Sequence, residues 1–169
     1  MIHHIRPETA ADAAGIRAVL RSAFETALEA NLVDALREQA RPLVSLVAVD
    51  DDAVIGHIMF SPVKLSPDAQ VALMGLAPMA VTPERQRQGI GTALVHAGLD
   101  ACHRLGTAGV VVLGHPEYYP KFGFVRASTL GWRSEYEVRD EAFMAIELRP
   151  GTLGGKPGTI RYHAAFAGV

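Results

Sequence analysis

The sequence predicts a single α/β (α+β) domain, built on a mixed, mostly antiparallel central sheet of about six to seven strands flanked by helices. Three observations lead there. The 169 residues are below the size at which chains divide into separate cores. The chain runs in the order helices, consecutive strands, one long helix, then a buried strand. A strand–helix–strand unit set inside an antiparallel run makes the sheet mixed.

Thr9 is expected to cap the first helix by accepting from an orphan backbone N–H. Ile16, Val19, Leu20, Ala23 and Phe24 then recur at helical spacing. A second helix over Glu29–Gln39 turns Leu32, Val33 and Leu36 inward, and Pro42 closes it. Leu43–Val49 and Ala53–Val63 read as strands joined by the turn Asp50-Asp51-Asp52. A third strand, Val71–Val81, contains Pro78, which has no N–H for the ladder and so marks an edge or a bulge. The long helix runs from about Gly89 to Leu105, with Gly106 suited to a left-handed cap. Gly109–Leu113 is a buried central strand, and a helical turn from Tyr118 to Phe122 stops at Gly123. Strands are expected near Phe124–Ala127 and Phe143–Leu148. Residues 1–150 form the domain, and 151–169 read as a Gly-rich extension in which Thr159–Phe166 can add an edge strand.

Composition removes several classes of function. Hydrophobic residues make up 49% and charged residues 20%, ordinary for a folded soluble chain. A net charge of −2 gives no global attraction to nucleic acid or anionic lipid. Met1-Ile2-His3-His4-Ile5-Arg6 lacks the apolar stretch of a signal peptide, and no apolar run approaches the roughly 18 residues of a membrane helix. The single cysteine, Cys102, excludes an internal disulfide and reads as a packing residue. These features predict a cytoplasmic protein without membrane or nucleic-acid partners. His96 and His103 stand two turns apart on one helix, no His-Glu-x-x-His occurs, and no metal is expected. No glycine-framed serine elbow is present.

The informative stretch is Met79-Ala80-Val81-Thr82-Pro83-Glu84-Arg85-Gln86-Arg87-Gln88-Gly89-Ile90-Gly91-Thr92. A strand passes into a helix through a polar loop, and Gly89 and Gly91 let the backbone approach a ligand. The unpaired N–H groups and macrodipole of the helix start make an anion site, fit for phosphate or pyrophosphate. The alternative is a helix start with a solvated, arginine-rich face. No Gly-Lys-Ser/Thr follows, so the loop is not a P-loop, and Gly-x-Gly-x-x-Gly is incomplete.

Gln86-Arg87-Gln88-Gly89-Ile90-Gly91 resembles the (Arg/Gln)-x-x-Gly-x-(Gly/Ala) signature of the GCN5-related N-acetyltransferases. Tyr118-Tyr119-Pro120-Lys121-Phe122-Gly123-Phe124 is similar to that family's Tyr-x-x-x-Gly-Phe element. Glu29-x-x-Leu32-Val33-x-x-Leu36 adds a likeness to its bacterial YhbS-like subgroup. The resemblance implies fourth and fifth strands that splay apart around an acetyl-CoA cosubstrate. Met79, Ala80 and Val81 would face its pantetheine arm. Gln86, Arg87, Gln88, Gly89, Ile90, Gly91 and Thr92 would hold its pyrophosphate, with Tyr118 beside them.

The implied reaction is direct transfer of an acetyl group to a primary amine of a small molecule, peptide or protein. The family pattern places the proton donor for the departing thiolate at Tyr119, four residues before Gly123, with Tyr118 the adjacent alternative. A backbone N–H near Met79–Val81 would polarise the thioester carbonyl. His115 and Glu117 are candidate general bases, with turn or capping chemistry as their alternative. Trp132, Tyr136, Glu135 and Glu137 either line an amine site or form a packed hairpin. The competing function is a non-catalytic acyl-CoA sensor. The Gly-rich tail is also compatible with a homodimer formed through sheet edges.

Overall fold

Asp51 and Asp52 both take positive φ, 49° and 65°, so the two-residue turn between Asp50 and Ala53 has the primed geometry that matches strand twist. It joins β2 (Val44–Asp50) to β3 (Ala53–Ser66) in a computed structural model describing residues 4–67 and 70–169. Part of the N-terminal reading rests on residues 1–3, outside the described residues. The other strands are β1 (His4–Pro7), β4 (Leu73–Val81), β5 (Gly109–Leu113), β6 (Val125–Arg126), β7 (Trp132–Ser134), β8 (Phe143–Glu147) and β9 (Gly158–Arg161). The helices are α1 (Ala13–Ala23), α2 (Leu28–Gln39) and α3 (Ile90–Arg104).

The sheet runs β1-β2-β3-β4-β5-β8-β6, antiparallel except at the parallel β4–β5 pair. This is the expected mixed, mostly antiparallel architecture, with β7 and β9 attached through the far end of β3. The sequence reading did not contain β1 or β7. Each is short, with a single apolar residue, so neither shows a period. The Thr159–Phe166 segment forms a strand only to Arg161 and then a 3-10 turn at Ala164–Gly168.

Three apolar clusters hold the layers together. Leu94, Val95 and Cys102 of α3 pack on Ile58, Phe60, Met74, Leu76, Val110 and Val112. Cys102 is fully buried, and burial pushes its thiol up to about 12, as suits a packing residue. On the opposite face Ile16 and Leu20 of α1 and Leu36 of α2 cover Val47, Met59 and Ala80. Further along that face Val63, Leu73, Val111, Trp132 and Ile160 form a third cluster. Each fully buried aliphatic side chain stabilises the fold by roughly 1.5–3 kcal/mol. Gly98 lets α3 touch the sheet, for a Cβ there would lie 2.1 Å from Phe60.

At the N-terminus, Thr9 takes the expected N-cap place, heading the 3-10 turn Ala10–Asp12 that runs into α1 and forming a capping box with Asp12. Its N–H and hydroxyl both donate to Asp12, at 2.7 and 3.1 Å, while Arg6 grips the same carboxylate at 2.7 Å. The bidentate arginine fixes Asp12, and the hydroxyl turns toward the charge.

A polar network ties Glu8, just after β1, to β2, β3 and α2. Glu8 accepts from Arg37 Nε at 2.6 Å and from the Ser45 hydroxyl, and Ser45 Oγ lies 2.8 Å from His57 Nε2. Ser45 gives its proton to Glu8, so His57 donates through Nε2 and cannot act as a base toward that serine. Burial alone would raise the Glu8 pKa. The His57 imidazole, 3.8 Å away, and the hydrogen bonds from Arg37 and Ser45 outweigh it and hold the carboxyl at about 2. A depressed folded-state pKa gives stability that is complete above the unfolded value of about 4.3 and lost as pH falls toward 2. Urea midpoints should therefore drop between pH 5 and pH 2.5, and Glu8→Gln should flatten that drop. An equally steep drop in the variant would assign the acid sensitivity to other carboxylates.

Candidate functional site

β4 pairs with β5 only from Leu73↔Gly109 to Leu76↔Val112, yet β4 continues to Val81. Beyond that point the two strands follow different neighbours. β4 stays with β3, while Gly114, just after β5, donates to the Ala142 carbonyl at 2.9 Å ahead of β8. A wedge results, with Met79, Ala80 and Val81 along one side. Pro78 lies at its root as a bulge. The β3–β4 register shifts between Ile58 and Phe60, so Ala77 and Pro78 together face Met59.

At the mouth of the wedge the chain turns into α3. Gly89 is the N-cap at φ 84°, and Arg87 also takes positive φ, 62°. The backbone N–H groups of Arg87, Gln88, Gly89, Ile90, Gly91 and Thr92 donate to no backbone carbonyl among the described residues; the first to do so is Ala93, to Gly89 at 3.0 Å. Six successive orphan donors stand at the positive end of a 15-residue helix, where an anion would be favoured. The loop is pinned from below. The Gln86 amide donates to the Val81 carbonyl at 3.0 Å, and Arg85 pairs with Asp50 at 2.9 Å. Arg87 and Gln88 are exposed.

The aromatic element packs against the same helix start. Tyr118 OH is 3.0 Å from Thr92 Oγ1, and a Cβ on Gly91 would lie 3.6 Å from that hydroxyl and 3.8 Å from Met79 Cε. Lys121 Nζ stands 4.1 Å over the Tyr118 ring. Tyr119 begins the 3-10 turn Tyr119–Phe122, which Gly123 ends at φ 106°. Its ring is 7% exposed and meets Tyr118 edge-on at 5.0 Å and Phe124 at 5.6 Å. Gly114 admits it, since a Cβ there would come within 2.3 Å of the ring. Burial, with Tyr118 adding to it, pushes the Tyr119 phenol up to about 12, so it stays a proton-bearing donor throughout the physiological range.

The structure brings together Met79, Gly91, Thr92 and Tyr118, and sets Tyr119 beside them through Tyr118. His115 and Glu117 are exposed, and the His115 carbonyl accepts from the Tyr118 and Tyr119 N–H groups at 3.1 and 3.3 Å. Trp132 is a core residue whose indole N–H donates to the Lys156 carbonyl at 2.7 Å. Tyr136 lies 5.7 Å from Tyr162, which continues to Phe166 at 5.3 Å. Tyr162 itself packs over Gly75 of β4, 3.6 Å from the Cβ position. Sequence reasoning missed Tyr162, because nothing local ties residue 162 to β4. Among the described residues no three His, Cys, Asp or Glu side chains gather into a metal-holding group, and no helix is long and apolar enough to cross a membrane.

Comparison with known proteins gives a consistent set of likenesses. Residues 42–126 match the family model described as an acetyltransferase (GNAT) domain. The chain is 40% identical over 163 residues to the uncharacterized N-acetyltransferase YhbS of Escherichia coli strain K12, covering 96% of this chain and 97% of that one. A crystal structure of YhbS from Escherichia coli in complex with CoA superposes with a TM-score of 0.91 at 39% identity, over 97% of this chain and 91% of that chain. A GNAT family acetyltransferase from Brucella melitensis in complex with acetyl-CoA gives a TM-score of 0.81 at 37% identity, over 98% of both chains.

Proposed function

The chain belongs to the GNAT acetyltransferase family, and on that premise we propose that it binds acetyl-CoA in the β4–β5 wedge and transfers the acetyl group to a primary amine. The observation carrying this reading is the run of unpaired N–H groups from Arg87 to Thr92, set at the mouth of a strand edge left open by β5. The diphosphate rests on those donors, with Gly89 and Gly91 leaving the approach clear. The pantetheine arm extends along Met79, Ala80 and Val81, and places the thioester near the Ala77–Pro78 bulge. A main-chain N–H beyond Pro78 polarises the carbonyl.

The neutral amine attacks the carbonyl carbon, the C–S bond breaks, and the thiolate takes the phenolic proton of Tyr119. The amine's surplus proton leaves to a base, and the products are an amide and CoA thiol. The titration of CoA by calorimetry, followed by thiol release across an amine library, tests this reading. Binding without release for any amine would replace it with an acyl-CoA sensor. No binding at all would remove both.

A further inference from the structure

α3 ends beside the outermost strand, and a groove opens there, away from the wedge. β1 lies three strand spacings from β4, roughly 14 Å across the sheet. Toward β1 and β2 the helix presents Ala97 and Ala101, one turn apart, and these short side chains leave space above Ile5, Val44 and Leu46. The result is a cavity of about 590 Å³, open to solvent and matching the roughly 300–1,000 Å³ of small-molecule sites. Leu105 borders it and is 54% exposed, so apolar surface is left uncovered at its edge.

The charge of this groove is one-sided. Arg6, Arg37, Arg41 and Arg104 line it against a single carboxylate, Glu8. Two of the four guanidinium groups are spent inside the protein, Arg6 on Asp12 and Arg37 on Glu8 and Asp34. Arg41 meets no carboxylate among the described residues and gives only Nη1, to the Arg37 and Ala40 carbonyls. Arg104 is exposed and gives only Nη2, to Asp100. Both therefore keep unspent N–H groups, and a planar guanidinium fork suits carboxylate or phosphate oxygens. Glu8 opposes an anion only weakly, because Arg37 and the Ser45 hydroxyl already hold its charge.

We propose that this groove binds a small organic anion with an alkyl body. The head meets the unspent donors of Arg41 and Arg104 at the rim, and the chain lies over Ile5, Val44, Leu46 and Leu105. A cationic ligand would face four guanidinium groups there, and inorganic phosphate would gain nothing from the apolar floor. The site stands independently of the acetyl-transfer reading, since no residue of the wedge lines it.

Calorimetric titration with octanoate and octyl phosphate, with and without CoA, tests the assignment. Binding of either anion, unaffected by CoA, is the expected result, and the tighter of the two names the head group. Hexanoate should bind about tenfold more weakly than octanoate, having two methylenes fewer on the apolar floor. Octylamine should not bind. Arg41→Gln and Arg104→Gln, both at exposed positions, should weaken octanoate about tenfold, together or at whichever arginine holds the head. Failure of both anions to bind at millimolar concentration would overturn the proposal, as would unchanged affinity in both variants. Affinity lost on adding CoA would place the anion in the wedge and overturn it too. Sedimentation showing a dimer that Leu105→Ser separates, without anion binding, would give the groove to a second copy of the chain instead.

Discussion

Tyr119→Phe is expected to reduce turnover by about 100-fold or more while leaving CoA affinity at its wild-type value. The substitution removes one oxygen and nothing else. The ring contacts with Gly114, Tyr118 and Phe124 persist, and the hydroxyl makes no hydrogen bond among the described residues, so no internal bond is lost. Stability should stay within about 0.5 kcal/mol, as for substitutions that touch no cavity, cap or buried network. Selective loss of turnover therefore reports chemistry, not folding. A phenol held near 12 is a weak acid in the ground state, and in the proposed transfer its value would lie in following the sulfur as negative charge develops. Tyr118→Phe is the internal control. Its hydroxyl meets Thr92 at the head of α3, so its loss should act mainly on CoA affinity. Equal turnover in Tyr119→Phe and wild type would remove Tyr119 from the acid role.

The parts of this molecule that sequence revealed are those whose constraint is local. Pro78 in an apolar strand announces a bulge because proline has no ladder donor. Gly89 and Gly106 announce the ends of α3 because left-handed torsions are cheap only for glycine. Tyr119 and Gly123 bound one short 3-10 turn, and the turn ends where its glycine allows φ 106°. What stayed hidden depends on pairing across distance. β7 finds β9 from Trp132 to Gly158, and Tyr162 reaches back to Gly75. The network of Glu8, Arg37, Ser45 and His57 draws on three elements and the residue after β1, and His57 sits unmarked between Ile55 and Met59. β3 is buried on both faces for most of its length, so it lacks the alternation that would have flagged a polar intruder. Glu29 is intermediate. Its place on the stripe of Leu32, Val33 and Leu36 was readable, but the burial of one of its oxygens was not.

Gly89→Val is expected to weaken CoA binding about 100-fold, roughly 2.7 kcal/mol by the affinity scale. Two physical terms contribute, and the structure separates them. The first is torsional, because Gly89 sits at φ 84°, where an L residue costs roughly 1–2 kcal/mol and a β-branched one is a marked outlier. The second is access, because a Cβ at this position meets nothing of the protein within 4 Å and would fill open space that the proposed diphosphate needs. Gly89→Asn distinguishes them, since asparagine tolerates the left-handed region. Affinity retained by Asn and lost by Val makes the torsion decisive; affinity lost by both makes the open space decisive. Gly91→Ala offers the contrast within the same motif. Its Cβ would meet Tyr118 OH at 3.6 Å and Met79 at 3.8 Å, ordinary contacts without backbone strain, so a smaller loss is expected. Calorimetry showing Gly89→Val with wild-type affinity would mean that the head of α3 does not hold the diphosphate, and the wedge would then need a different occupant.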